Sequence, residues 1–443
     1  MKRRDFIKNI IAINAALAAS YCGVKGGKKT KVVILGFDGA NWPTIDPLIK
    51  QGKLPFLEKF RAQSAWANFE TCKPAKSNVV WTSIASGTTM MKHGIMDFAY
   101  LKRTGQQVLY SKSERKEPMI WQILDSWHKH SVVVNWWVSH PPDKIDGIMV
   151  SDGFRRIIAS EPGDIPTFAR TVHPAKYFEK LKTFVDRNTD YRKVLERTGL
   201  PDCIGIFQHN YPKGNYLNVP VLTHYEQFVK QDAIVEDISD YLYAKADFDL
   251  FATYFRFPDI VQHVVTHLME RDYKLKLKQA FKAGNPPQEL LDEAINRISA
   301  LLEPIYRYME RIIEKYVSRK PDENVYFFMM SDHGFSLYPG GYNHYDLPEG
   351  YPAPDGFLLI NGPDVKKGQI KKASIFDITP TILNLFDLPV GKNMDGRVLR
   401  ETFASSRPIK YQPYKLEKKD AAAGDEKYDQ QSMEELKSLG YIK

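Results

Sequence analysis

Val325-Tyr326-Phe327-Phe328-Met329-Met330-Ser331-Asp332-His333-Gly334-Phe335 is the stretch whose reading decides the fold. Its first half is an apolar run with β-branched and aromatic content, the pattern of a buried strand. It turns polar at once, to Ser-Asp-His-Gly. Ligands of open α/β sheets bind just outside the carboxyl ends of the strands. An Asp-His pair there offers an oxygen and a nitrogen donor to a cavity, and Gly334 lets the backbone turn away. Taken alone, Asp332 could equally cap a turn and His333 be an ordinary loop histidine.

The same grammar recurs near the N-terminus. Lys31-Val32-Val33-Ile34-Leu35-Gly36-Phe37 is a short buried strand that ends in Asp38-Gly39. Further strands are predicted at Ala65 to Glu70, Val132 to Trp137, Ala246 to Phe255 and Phe357 to Gly362. Helical spacing is predicted for Trp42 to Phe60 with a turn, for Pro287 to Tyr316, and after Ile375, with Asp377 or Thr379 as cap. Strands alternate with helices, so the class is α/β with a largely parallel sheet. Residues from about 155 to 245 read as an irregular, substrate-shaping insertion. Residues from about 406 read as an extended tail, with Glu434 to Tyr441 as one helical turn able to dock on the body.

The 443 residues suffice for a large core, with 43% hydrophobic and 26% charged residues marking a globular body. The net charge of +9 lacks a sustained Lys/Arg run with interleaved aromatics, which argues against nucleic acid as a specific partner. A basic surface suits an anionic small molecule. Three cysteines, Cys22, Cys72 and Cys203, with no CxxC pair, exclude a zinc ribbon and a disulfide framework.

Lys2-Arg3-Arg4-Asp5-Phe6-Ile7-Lys8 is similar to a twin-arginine export signal, followed by an apolar stretch too short to span a bilayer. Residues 1–27 are read as signal and linker, 28–405 as the catalytic domain, and 406–443 as the tail. The expected location is the periplasm or cell surface. Cys22 is a candidate for lipid attachment to the membrane, although Tyr21 before it is larger than a lipobox prefers. No sequence signal bears on oligomeric state.

Asp259 and His263 lie four apart and would share one face of a helix, either as metal donors or as a surface contact. Ser77, after Pro74, sits where a loop enters a helix N-terminus, a place that favours anions but is also the commonest place for a capping serine. With Asp38, Asp332, His333 and His344, the chain offers three carboxylates and three imidazoles. Zinc accepts that mixed set, whereas magnesium and calcium avoid histidine. A dinuclear site would activate the Ser77 hydroxyl at one metal and grip a substrate oxygen at the other.

These motifs together resemble the alkaline phosphatase superfamily, in its type I phosphodiesterase/nucleotide pyrophosphatase branch. The resemblance is carried by Leu35-Gly36-Phe37-Asp38-Gly39, by the Pro-x-x-Ser loop at Ser77, and by Trp81-Thr82-Ser83-x-x-x-Gly87. His93-Gly94-Ile95, Asp259-x-x-x-His263, Ser331-Asp332-His333-Gly334 and Asp377-Ile378-Thr379-Pro380-Thr381 complete it. It implies an alkaline-phosphatase-like three-layer αβα sandwich with a mostly parallel central sheet and an inserted cap. It also implies two zinc ions or other divalent transition metals. One would be held by Asp38, Ser77, Asp332 and His333, the other by Asp259, His263 and a late histidine, here assigned to His344. The implied activity is hydrolysis of a small-molecule, lipid or glycan phosphate ester through phospho-Ser77.

Two departures stand out. Where nucleotide pyrophosphatases carry a phosphate-binding asparagine, eleven residues past the glycine matching Gly87, this chain has Phe98; Asn78 and Asn343 are the candidate substitutes. Cys72-Lys73-Pro74-Ala75-Lys76 is only faintly similar to a sulfatase motif, and the position of the modified sulfatase residue falls on Ser77, so Cys72 is read as structural. The alternatives are a phosphonate or sulfate-ester hydrolase or phosphotransferase of the same superfamily, and a non-catalytic surface binding protein. Trp42, Phe98, Tyr342 and Tyr345 flank the motifs, either to stack on substrate or to pack.

Overall fold

In a sheet buried on both faces, each central strand is a continuous apolar run rather than an alternating one. Three such runs meet here. β1 (Lys31–Phe37) lies between β5 (Leu250–Phe255) and β6 (Val325–Met330), parallel to both, and every residue of β5 and β6 is buried. The structure is a computed structural model that describes residues 29–159, 168–284, 286–320, 324–338, 341–344, 353–405, 407–416 and 426–442. The expected export signal, the candidate lipidation site Cys22, and Tyr345 lie outside those residues.

On one side β5 pairs with β3 (Ser131–Val134), and β3 with β4 (Gly147–Val150), all parallel. On the other side β7 (Gly356–Asn361) runs antiparallel between β6 and β2 (Ala65–Glu70). β2 therefore points the same way as β6. Short strands at 172–173, 368–369 and 373–374 extend the two edges. The result is a mixed, mostly parallel sheet flanked by helices, the α/β architecture predicted above.

Some boundaries differ from the sequence reading. β3 stops at Val134 because Asn135 takes a left-handed backbone, φ 60°, and its side chain turns to Tyr254 and Arg155. β5 starts only at Leu250; the Asp249 side chain before it accepts from the His130 amide. Trp42 to Phe60 forms two helices, α1 (Trp42–Lys50) and α2 (Pro55–Ala62). Helix α6 (Ile378–Leu385) is not side-chain capped by Asp377 or Thr379. The Asp377 carboxylate accepts from the amides of Ser374 and Arg397 instead, and the Thr379 hydroxyl donates to the Ile84 carbonyl.

A larger difference concerns the stretch read as irregular. Its described residues, 155–159 and 168–245, are mainly helical and include the 21-residue helix Tyr225–Lys245. That helix buries Asp232, Glu236 and Asp237 among its apolar residues, with Arg311 and Lys315 paired to Glu236. Buried charges erase the polar face by which a helix is recognised. The C-terminal segment docks at Glu434 to Tyr441 as expected, through a helix longer than the one turn predicted. Helix α7 (Glu426–Ser438) docks through Glu435, whose buried carboxylate lies 3.1 Å from Arg256 and 3.7 Å from Arg156. Leu436, Leu439 and Tyr441 are buried beside it. No helix among the described residues is long and apolar enough to cross a membrane.

Candidate functional site

Parallel strands finish at the same edge of a sheet, and β6, β1 and β5 are neighbours. Their carboxyl ends therefore converge. Asp38 follows β1, Asp332 and His333 follow β6, and helix α4 (Phe257–Leu268) leaves β5 carrying Asp259 and His263. Gly39 makes the close approach of α4 workable: it has φ +74°, and a Cβ there would stand 3.0 Å from the Asp259 Cα. Gly334 is required by contact rather than by turning, since a Cβ would meet the Asn41 amide at 2.3 Å.

Ser77 comes from the next layer. It is the first residue of helix α3 (Ser77–Ser86), whose residues are all buried, and Trp81 of that helix lies against Gly36 of β1. The N-cap is Lys76, with extended backbone, so the Ser77 hydroxyl is not spent on capping. Ser77 Oγ donates to Asp38 Oδ1 at 3.3 Å and lies 3.5 Å from His333 Nε2. The entering loop is pinned by Lys76 to Asp97 at 2.7 Å and by the Asn78 amide to the Asp97 carbonyl.

The carboxylates and imidazoles gather as the sequence suggested. Two trios have donor atoms within 4.8 Å of one another, Asp38–Asp332–His333 and Asp259–His333–His344. His333 joins the two, with Nε2 3.3 Å from Asp38 Oδ1 and 3.2 Å from Asp332 Oδ2. His263 Nε2 adjoins the second, 3.3 Å from Asp259 Oδ1. The rings of His333 and His344 are stacked, 3.7 Å between centroids.

Hydrogen bonds behind the imidazoles orient them. His344 Nδ1 sits 2.9 Å from the Ala75 carbonyl, and His333 Nδ1 3.2 Å from the Gly334 carbonyl. A carbonyl only accepts, so each Nδ1 carries a proton and each Nε2 is the ring atom turned toward the carboxylates, the orientation of metal-binding histidines. Burial, then the neighbouring His333 and His263, depress the His344 pKa well below its ordinary value, which keeps it neutral.

The carboxylates are short of positive charge. Among the described residues no lysine or arginine forms an ion pair with Asp38, Asp259 or Asp332; their ion partners are histidines. Burial and the nearby Asp332 and Asp259 push the Asp38 pKa well up. Burial also raises Asp332. For Asp259 burial acts upward, but His263 outweighs it and the pKa falls. Asp259 Oδ1 and Asp332 Oδ2 are buried and accept no hydrogen bond. Buried anionic oxygens without donors, beside inward-facing imidazoles, fit divalent metal ions of the zinc type.

Other motif residues serve as scaffold. His93 binds the Ser83 hydroxyl and the Ile95 amide, and burial holds its pKa at about 3. Burial lifts the Cys72 thiol to about 12, which leaves it a poor nucleophile. Trp42 and Tyr342 pack: the Trp42 indole donates to the Ala67 carbonyl, and the Tyr342 hydroxyl meets Thr44 and Gln262. Phe98 is buried between Trp137 and Tyr441. Asn78 is tied to Asp97 as above, and the Asn343 side chain accepts from the His344 amide, so the geometry favours neither as a phosphate clamp.

Two residues escaped the sequence reading of the site. Tyr254, within the apolar run of β5, donates its hydroxyl to Asp38 Oδ2 and accepts from the Trp137 indole at 2.7 Å. Tyr441 enters from the C-terminal segment. Its hydroxyl lies 2.9 Å from Asp259 Oδ2, 3.0 Å from His263 Nε2 and 3.1 Å from His344 Nε2.

The description of the type I phosphodiesterase/nucleotide pyrophosphatase family matches residues 32–373. Among solved structures, a putative sulfatase from Bacteroides thetaiotaomicron superposes with a TM-score of 0.52 at 9% identity, covering 88% of this chain and 78% of that one. A 2-O GAG sulfatase superposes at 0.51 and 10% identity, covering 85% and 74%. Murine ectonucleotide pyrophosphatase/phosphodiesterase 5 gives 0.45 at 12% identity, covering 81% and 95%. At such identities the first two speak for the fold alone.

Proposed function

Since the chain belongs to the type I phosphodiesterase/nucleotide pyrophosphatase family, we propose that it is a metal-dependent hydrolase of phosphate esters with Ser77 as nucleophile. The observation that carries this reading is the Ser77 hydroxyl. It is buried at a helix start, free of capping duty, and 3.3 Å from Asp38 Oδ1.

Asp38, Ser77, Asp332 and His333 would hold one metal ion, and Asp259, His263 and His344 a second. Bound there, two zinc ions would supply charge neutralisation for the phosphoryl oxygens and a lowered pKa for the serine hydroxyl. The chain's own residues do the rest. Asp38 accepts the hydrogen bond of Ser77 and orients its lone pair outward. Attack on phosphorus forms the Ser77 Oγ–P bond as the serine proton passes by way of Asp38 to solvent and the bond to the ester oxygen breaks, and the alcohol leaves with a proton from solvent. Water then cleaves phospho-Ser77, returning the free serine and phosphate. The first backbone amides of α3 face the transferred group, where the helix dipole favours its negative charge.

The test is Ser77→Ala in metal-reconstituted protein. Hydrolysis of a nitrophenyl phosphodiester should fall by roughly three orders of magnitude or more, with metal content unchanged. Undiminished turnover would remove the assignment. Run beside it, phosphomonoester, phosphonate and sulfate-ester substrates decide the ester class, and a protein inert on all four with full metal occupancy would be a binding protein instead. Residues 1–27 as an export signal, and a periplasmic or surface location with lipidation at Cys22, remain part of this proposal. They would be checked by fractionation and by labelling with a radioactive fatty acid.

A further inference from the structure

Resting on the metal reading above, we propose that Tyr441 is a reversible fourth ligand of the Asp259–His263–His344 centre, carried by a C-terminal segment that the substrate phosphate must displace.

The spacing of the donors is the first argument. Tetrahedral zinc with bonds of about 2.0–2.1 Å holds its donors about 3.3–3.4 Å apart. Asp259 Oδ1 lies 3.3 Å from His263 Nε2 and 3.6 Å from His344 Nε2. Asp259 Oδ1 thus already stands about one tetrahedral edge from each imidazole. Tyr441 Oη touches the same three side chains, 2.9 Å from Asp259 Oδ2 and 3.0 and 3.1 Å from the Nε2 atoms of His263 and His344, and so fills the opening between them. Four protein donors make a closed centre, whereas a catalytic zinc keeps one position for water or substrate. The arrangement is therefore a resting one.

The second argument is how the tyrosine is delivered. Glu435 anchors the end of α7 in a buried polar nest. Gln231 and Gln227 donate to its Oε1 at 2.8 and 3.0 Å, and Arg256 to its Oε2 at 3.1 Å. Arg256 lies three residues before Asp259, so the segment grips the very start of the helix that carries the centre. Beyond the anchor, Leu436 and Leu439 are buried and the Tyr441 ring lies on Phe98, 4.6 Å between centroids. Phe98 gives that ring an apolar shelf where a polar residue would compete for its hydroxyl. A phosphate group offers several charged oxygens to the centre, whereas Tyr441 offers one, so substrate can take the position over.

The experiment uses the full chain loaded with zinc, with inorganic phosphate as the probe. Affinity is read by calorimetry, and exposure of the segment by tryptic cutting at Lys437. In the wild type, phosphate should increase cutting. Tyr441→Phe should bind phosphate about tenfold more tightly at equal zinc content, because no state has to be opened first. Glu435→Gln, which loosens the anchor without touching the centre, should shift affinity the same way by a smaller factor. Unchanged or weaker phosphate binding in both variants, with cutting indifferent to phosphate, would overturn the inference and leave the metal reading standing. A wild type that takes up no zinc would overturn both.

Discussion

The rings of His333 and His344 lie face to face, 3.7 Å between centroids and 7° from parallel. The imidazole following β6 and the one from the loop at 341–344 thereby form one wall shared by both donor trios. Their Nδ1 atoms are tied to carbonyls on opposite sides, at Gly334 and Ala75. Neither ring can turn without breaking a hydrogen bond and unstacking its neighbour.

Metal stoichiometry should follow that shared wall. The wild type is expected to bind two equivalents of zinc. His344→Ala should retain one, whereas His333→Ala, which removes a ligand of one centre and unstacks the His344 ring of the other, should weaken both. Elemental analysis after dialysis checks this. Two retained equivalents in His333→Ala would show that the trios do not share that side chain.

Tyr254 bears on the proposed metal centre through its hydrogen bond to Asp38. Tyr254→Phe removes the donor to Asp38 Oδ2 and leaves the buried Trp137 indole without its acceptor. An orphaned buried donor costs about 1–3 kcal/mol, and loss of such a supporting bond lowers metal affinity by roughly 10–100-fold. Thermal melting and zinc titration measure the two effects separately.

Gly39→Ala should be among the most damaging small substitutions. The new methyl would meet the Asp259 Cα at 3.0 Å from a backbone already at φ +74°. The left-handed backbone alone costs on the order of 1–3 kcal/mol. Displacement of α4 should also lower zinc uptake at the Asp259 centre. A variant with wild-type melting and zinc content would contradict this.

Acid stability should carry a contribution from Glu435. Burial pushes its pKa up, but Arg156, Arg256 and Arg155 outweigh that and hold it at about 2, against an ordinary 4.5. A depressed carboxyl pKa stabilises the fold fully above about pH 4.5, and that contribution is lost as pH falls towards 2. Glu435→Gln should therefore melt lower than the wild type at pH 7, with the gap closing between pH 4.5 and 2. A gap that stays constant over that window would assign the effect to packing.

How much was legible followed from where the information lies. Asp38 and Asp332 stand out because a carboxylate directly after an apolar run has few reasons to be there. Asp259 and His263 show through their helical spacing. Tyr254 was hidden because an aromatic inside Leu250–Phe255 looks like any other core residue, and its partner Asp38 lies 216 positions away. Tyr441 was hidden by the polar sequence around it; its pairing with Asp259 spans 182 positions and leaves no local trace. The helix Tyr225–Lys245 was obscured by its own buried acids, and the cations that pair with Glu236 come from the distant helix α5 (Gln288–Ser318).

The sheet order of β6, β1 and β5 also bears on how the molecule matures. These strands begin at residues 325, 31 and 250, so neighbours in space are synthesised far apart in time. Until the latest of them slots in, Asp38 faces no assembled cavity, and once it does, three acids are forced together with little to offset them. Uptake of cations at that seam would relieve the repulsion and rivet the earliest part of the polypeptide to a much later one. Chelators should then act as more than inhibitors: they should loosen the centre of the sheet.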